Sequence, residues 1–198
     1  MKSKHFLLNI LLLVILLNAC KTSTKKADKK AESIDKIVDR SIILASNGKV
    51  GAAILTIDSA IAIEPKNLEF YNTKFNFLLQ ARDYDRCIEH LNEMHKIEPN
   101  NAEALSFQGY IYEKQGKKGI ADKYYQQAID ACKQRITDKQ QVFKNYANMA
   151  FLMQFYKNKE VSVKMIDSLI KRHPDNAYLK DQQKVIMAFD KKGFLQNL

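Results

Sequence analysis

Residues 96–101 read KIEPNN, and at an interval of 34 residues before them 62–67 read AIEPKN; a third tripeptide of the same form, PDN, stands at 174–176. Pro65, Pro99 and Pro174 are the only 3 prolines in the chain. Proline disfavours helix in the residue before it and lacks the amide that would continue the helical ladder, so it stops a helix. Asparagine two places on can accept from the exposed amides that open the next one. Pro-x-Asn therefore reads as a stop-and-restart signal between helices, set at a fixed interval.

The interval carries through the rest of the chain. Stepping by 34, Ala53 meets Cys87 and Ala121, and Ala60 meets Met94 and Ala128. Gly48 meets Arg82 and Gly116, and Leu44 meets Leu78 and Tyr112. Small residues recur where two helices touch, and large ones recur where they interlock. Within a unit the apolar spacing is three and four: Ile34, Ile37, Val38, Ser41 and Leu44, then, past Gly48, Ala53, Ile54, Ile57, Ala60 and Ile61. Tyr71, Phe75, Leu78 and Leu79 lead to Cys87, Ile88, Leu91 and Met94 in the next unit. That period is an amphipathic helix, so each unit is a helical hairpin.

The third copy, AEALSFQGYIYEKQGKKGIADKYYQQAIDAC (102–132), resembles the tetratricopeptide repeat. Gly109 takes the small slot of the first helix, Tyr112 the aromatic slot one turn on, Gly116 the turn, and Ala121, Tyr125 and Ala128 the contact face of the second helix. Residues 34–67 and 68–101 fit in the same phase, and 143–176 form a fourth, more degenerate copy displaced by seven residues. The resemblance implies an all-α fold, a right-handed α-solenoid of four hairpins (34–67, 68–101, 102–135, 143–176) closed by a capping helix and tail over 177–198. In unit three Lys133 stands where the proline would be, so its second helix is expected to reach about Arg135. Thr137 and Gln140 then form a capping-box pattern expected to open a longer helix ending near Tyr156. Tyr178, Leu179, Val185, Ile186 and Phe189 suggest a last helix ended by Gly193.

The first residues carry a different message. MKSKHFLLNILLLVILLNAC places Lys2 and Lys4 before an apolar run from Phe6 to Leu17. A helix of that run is about 18 Å long, short of a hydrocarbon core of about 30 Å, so residues 1–19 read as a signal peptide. Leu17-Asn18-Ala19-Cys20 resembles the lipobox of bacterial lipoproteins, which implies diacylglyceryl transfer to Cys20 and cleavage before it. Two or more acyl chains hold a protein on a membrane almost irreversibly. Residues 20–33 then read as a lysine-rich tether with too little apolar surface to offset its ordering entropy. Lys21, rather than an aspartate, follows Cys20, which points to the outer membrane of a bacterial envelope.

Net charge is +10 over the whole chain. Residues 1–30 account for more than half of it, so the repeats are mildly basic, which together with export excludes nucleic acid as the partner. Cys87 and Cys132 sit too far along parallel helices to pair and are expected as free thiols. His90 and His95 lie about 140° apart on a helix, so no metal is expected, nor a cofactor. No nucleophile and base stand in catalytic spacing, and the chain does not read as an enzyme.

In the family it resembles, the first helices of the units line a groove that binds proteins or peptides. Carried over, the groove positions are Asp35, Val38, Asp39 and Ile42, then Asn72, Thr73, Asn76 and Gln80, then Phe107, Tyr110 and Lys114, then Asn148, Phe151 and Phe155. Val38 and Phe107 stand where a carboxylate clamp wants polar groups, so that specificity does not carry over. Phe151 and Phe155 have two readings, as groove anchors or as packing beneath the last helix. The expected role is a membrane-anchored adaptor for protein or peptide partners; the alternative is a small-ligand or glycan-binding lipoprotein that stacks its ligand on Phe107, Tyr110 and Phe151.

Overall fold

The structure, a computed structural model, describes residues 33–139 and 141–198. The signal segment, Cys20 and the tether up to residue 32 lie outside the described residues. Among the described residues every regular element is a helix, and none is long and apolar enough to cross a membrane. The fold is all-α, of the solenoid class built from helical hairpins. Two compact units divide the chain within α3 (Leu68–Gln80): one ends at Phe77, the other runs from Leu78 to Leu198.

The first unit holds α1 (33–46), α2 (Val50–Ile63) and most of α3. Gly48, at φ 76°, turns the chain between α1 and α2, and the amides of Gly48 and Lys49 bond back to Ala45 and Leu44. Without a Cβ, glycine takes this left-handed conformation at little cost. Ala53, Ile54, Ile57 and Ala60 put the inner face of α2 in the core, joined by Ile34, Ser41 and Ala45 of α1. After Pro65, Asn67 accepts from the Glu69 amide at 3.1 Å and starts α3. Lys74 of α3 pairs with Asp58 of α2 at 2.6 Å.

The second unit runs through α4 (Tyr84–Ile97), α5 (Ala102–Lys114), α6 (Lys118–Thr137), α7 (Val142–Tyr156), α8 (Lys159–Arg172), α9 (Ala177–Ala188) and α10 (Lys191–Asn197). From α5 to α9 each helix packs on the one before it; α10 breaks this order and packs on α5. Asn101 and Asn176, the asparagines of the second and third Pro-x-Asn, accept from the amides of Ala104 and Leu179. The turn before α4 places Arg82 at φ 55°, where the matching turn before α6 has Gly116 at φ 76°.

Three contacts set the spacing of the helices. A Cβ on Gly109 of α5 would overlap the ring of Tyr125 on α6, so only glycine lets these helices meet. Tyr125 is fully buried there. Across α7 and α8, Ser162 donates to the Ala150 carbonyl at 2.6 Å, a bond that needs both helices close. Between α4 and α5 the buried Gln108 accepts from His95 Nε2 at 2.6 Å and donates to Asn92 at 2.7 Å.

The structure departs from sequence expectation in two places. Thr137 opens no helix. It is the last residue of α6, and its hydroxyl donates to the Lys133 carbonyl at 3.1 Å. Lys133, unlike proline, keeps the amide that continues the ladder, so the extra residues lengthen α6; α7 then starts after Gln141, at φ 42°, with no side-chain cap. Gly193 ends no helix either. Phe189 is extended and breaks the chain after α9, Asp190 accepts from the Lys192 amide at 3.0 Å to start α10, and Gly193 sits inside that helix with the Asp190 carboxylate over it.

Candidate partner-binding groove

Phe107, Tyr110 and Lys114 lie on one face of α5, and Asn148, Phe151 and Phe155 on one face of α7, both at helical spacing. The rings meet in one cluster. Phe107 stands edge-on to Tyr110 at 5.7 Å between centroids, and Tyr110 lies 4.5 Å from Phe155 and 5.7 Å from Tyr125. Phe151 lies 5.8 Å from Phe155. Tyr110 and Phe155 are buried, whereas Phe107 and Phe151 are half-buried.

The residues that cover these rings come from the last ten of the sequence. Phe189 stands 4.7 Å from Phe151, and Phe194 stands 5.2 Å from Tyr110 and 5.8 Å from Phe155, edge-on in all three cases. Edge-to-face pairs of this kind contribute about 0.5–1.5 kcal/mol each beyond area burial. Lys114 does not point at a carboxylate. Its Nζ donates to the carbonyls of Leu195 at 2.8 Å and Gln196 at 3.1 Å, in the final turn of α10. Tyr84 donates to the Leu198 carbonyl at 2.7 Å. A cation at the carbonyl end of a helix is favoured by its dipole and satisfies carbonyls that have no intrahelical partner.

Charge completes the arrangement. Glu113 on α5 is 12% exposed at its side chain; it accepts from the Tyr125 hydroxyl at 2.7 Å and pairs with Lys191 of α10 at 2.6 Å. Lys191 also donates to the Phe155 carbonyl at 3.3 Å and stands 5.1 Å from the Phe155 ring. On the far side, Lys159 donates to the carbonyls of Met187 and Phe189, fixing the break between α9 and α10.

Asn148 lines a cavity of about 240 Å³ with Phe107, Tyr110, Phe151 and Phe194. Its walls are chiefly apolar, with Glu103, Ser106 and Asn148 as the polar contributors. A glycan needs many converging donors and acceptors for its hydroxyls, and this lining supplies few. Gln80, at the end of α3, lines an open hollow with Phe194, Asn197 and Leu198. Asn72, Thr73 and Asn76 belong to the first unit: Asn72 and Asn76 are exposed, and the Thr73 hydroxyl is spent on the Glu69 carbonyl of its own helix at 2.9 Å.

Burial pushes the Tyr110 hydroxyl well above its ordinary 10.0, and burial with the Glu113 bond does the same for Tyr125. The free thiols of Cys87 and Cys132 are buried, and that burial pushes them up to about 12 and about 11. Thiols held so far above neutral pH are poor nucleophiles. Among the described residues no group of three His, Cys, Asp or Glu could hold a metal ion.

Sequence reading placed the aromatics of α5 and α7 on a common face but missed what lies on them: Glu113, Tyr84, Lys191, Phe194, Leu195 and Leu198. The signal was there in KKGFLQNL, whose Phe194, Leu195 and Leu198 share a helical face; Gly193, taken as a stop, hid it.

No family model matches the chain, and neither does any curated protein. Solved structures do. A tetratricopeptide repeat protein from Parabacteroides merdae superposes with a TM-score of 0.51 at 16% identity, over 82% of this chain; this chain spans 61% of that one, under two thirds of its length. The tetratricopeptide protein TTC0263 of Thermus thermophilus gives 0.52 at 12% identity, over 79% of this chain and 82% of its own. PilF of Pseudomonas aeruginosa gives 0.50 at 12%, over 79% and 68%. At such identities the likeness is one of fold, and the fold is of the tetratricopeptide type.

Proposed function

We propose that this chain is a lipid-anchored adaptor of a bacterial envelope, holding segments of partner proteins in the groove between α5 and α7. The observation that carries the reading is the groove itself: a row of rings from Phe107 to Phe155, flanked by Lys114 and Glu113, already shaped around a short helical segment. Aromatic anchors in a desolvated face, ringed by polar groups, are the usual make-up of a protein-binding hot spot. The resemblance to tetratricopeptide repeats implies the same role. Anchoring rests on the lipobox-like Leu17-Asn18-Ala19-Cys20, and the outer membrane is the proposed site because Lys21 follows the lipidated position.

Two experiments test the two halves. A photo-crosslinking side chain at position 107, in living cells, is expected to trap a discrete protein partner, while the same group at the exposed Ile120 traps none. Equal, diffuse products from both positions contradict the groove reading. For the anchor, a labelled fatty acid is expected to enter the native chain and not the Cys20→Ser variant, which leaves the membrane fraction. A Cys20→Ser chain that stays on the membrane contradicts it.

A further inference from the structure

Residues 189–198 sit in the groove as a bound segment would, and they are held unlike the rest of the fold. No residue of α10 is fully buried. Its seven residues are too few to persist as a helix without support, and an extended Phe189 joins it to α9. Three fixings hold it. Phe194 enters the ring cluster with Leu195 and Leu198 packed beside it, Lys191 neutralises the largely buried Glu113, and Lys114 with Tyr84 receives the backbone of the last turn.

Each fixing specifies a chemistry. The backbone contacts require a helical turn with free carbonyls and do not read side chains. Glu113 requires a cation, because a shielded carboxylate without one is costly. The rings require an aromatic three residues after that cation. Beside Phe194, the cavity of about 240 Å³ between Phe107, Phe151 and Asn148 is filled by no residue of the segment.

Resting on the groove reading above, we infer that residues 189–198 are the resident occupant of an exchangeable docking site. The partner that replaces them is a helical protein segment of the form Lys/Arg-x-x-Phe-Leu, carrying a further large apolar side chain that enters the cavity. A tethered occupant acts at an effective concentration of about millimolar. The extra side chain gives a partner the advantage it needs to win.

The chain contains no tryptophan, so a peptide can carry the signal. The probe is a peptide of residues 188–198 with Phe194→Trp, added to the full chain bearing Phe194→Ala, whose arm is weakened. Its emission should shift to the blue with saturation below about 1 mM, and the native chain should bind it at least about tenfold more weakly. Lys191→Ala in the peptide should cost about tenfold or more against the chain with Glu113, and almost nothing once the chain carries Glu113→Gln. Should Phe194→Ala lose helicity, the Lys191→Ala chain opens the arm instead.

No blue shift in either arm variant, or equal affinity for native and variant chains, overturns the exchange. So does a native dimer in sedimentation that Phe194→Ala dissolves, which would assign the arm to a second copy. Failure here with discrete crosslinks from position 107 ends the exchange and leaves the adaptor; failure of both ends both.

Discussion

α9 and α10 are neighbours in the chain, and they are held in opposite ways. α9 buries Leu179 and Ile186 almost completely, in a cluster with Ala147, Ala150, Ile166 and Leu169 of α7 and α8. α10 buries no residue fully; it rests the half-buried Phe194, Leu195 and Leu198 on the ring cluster and adds one ion pair and four bonds to backbone carbonyls. Hydrophobic burial is non-directional and survives small shifts. A grip on carbonyls and charge can be handed, bond for bond, to another segment of the same form. The first helix closes the stack; the second occupies it.

Thiol labelling should separate core from arm most widely. At pH 8 Cys87 and Cys132 should resist a thiol reagent, while a cysteine introduced as Leu195→Cys should react about a hundredfold faster or more. Equal rates would place the arm in the core. The same shifts give a pH dependence. The thiols are raised from 9.0 to about 12 and about 11, so the folded state holds protons that the unfolded state releases. Stability is therefore full below about pH 9 and falls as pH rises towards 11–12, visible as a lower midpoint in urea at pH 10.5 than at pH 8.

Next come the core substitutions. Leu179→Ala should lower stability by about 3 kcal/mol, measured by denaturant unfolding. Gly109→Ala should lower it by about 2 kcal/mol, because the Tyr125 ring has no room to move aside. Phe194→Ala should cost about 1 kcal/mol or less in global stability, its loss confined to α10. A cost equal to that of Leu179→Ala would erase the distinction between the two helices. The smallest effect has the opposite sign. Arg82→Gly relieves a left-handed backbone that Gly48 and Gly116 adopt freely, and should gain about 0.5 kcal/mol.

The hairpins were legible in sequence because their determinants are local. Asn101 and Asn176 each cap the helix that begins one residue later, and the interval that aligns Ala53, Cys87 and Ala121 returns a buried face each time. Gly109 was legible as a small slot, though not the ring it admits. Where a repeat lost its punctuation the reading slipped: with Lys133 in place of proline, α6 runs on to Thr137. The groove was half legible. Spacing put Phe107, Tyr110, Phe151 and Phe155 on shared faces. It could not say that Lys114 would reach carbonyls of residues more than eighty positions away, because a backbone acceptor leaves no trace in side-chain identity.

Residue-resolved hydrogen exchange of the native chain tests the central claim most directly. The amides of α10 should exchange through a local opening that spares α5, α7 and α9, whose protection should follow global unfolding. Protection of α10 equal to that of α9 would make it a permanent part of the core, and would contradict an occupant that can leave.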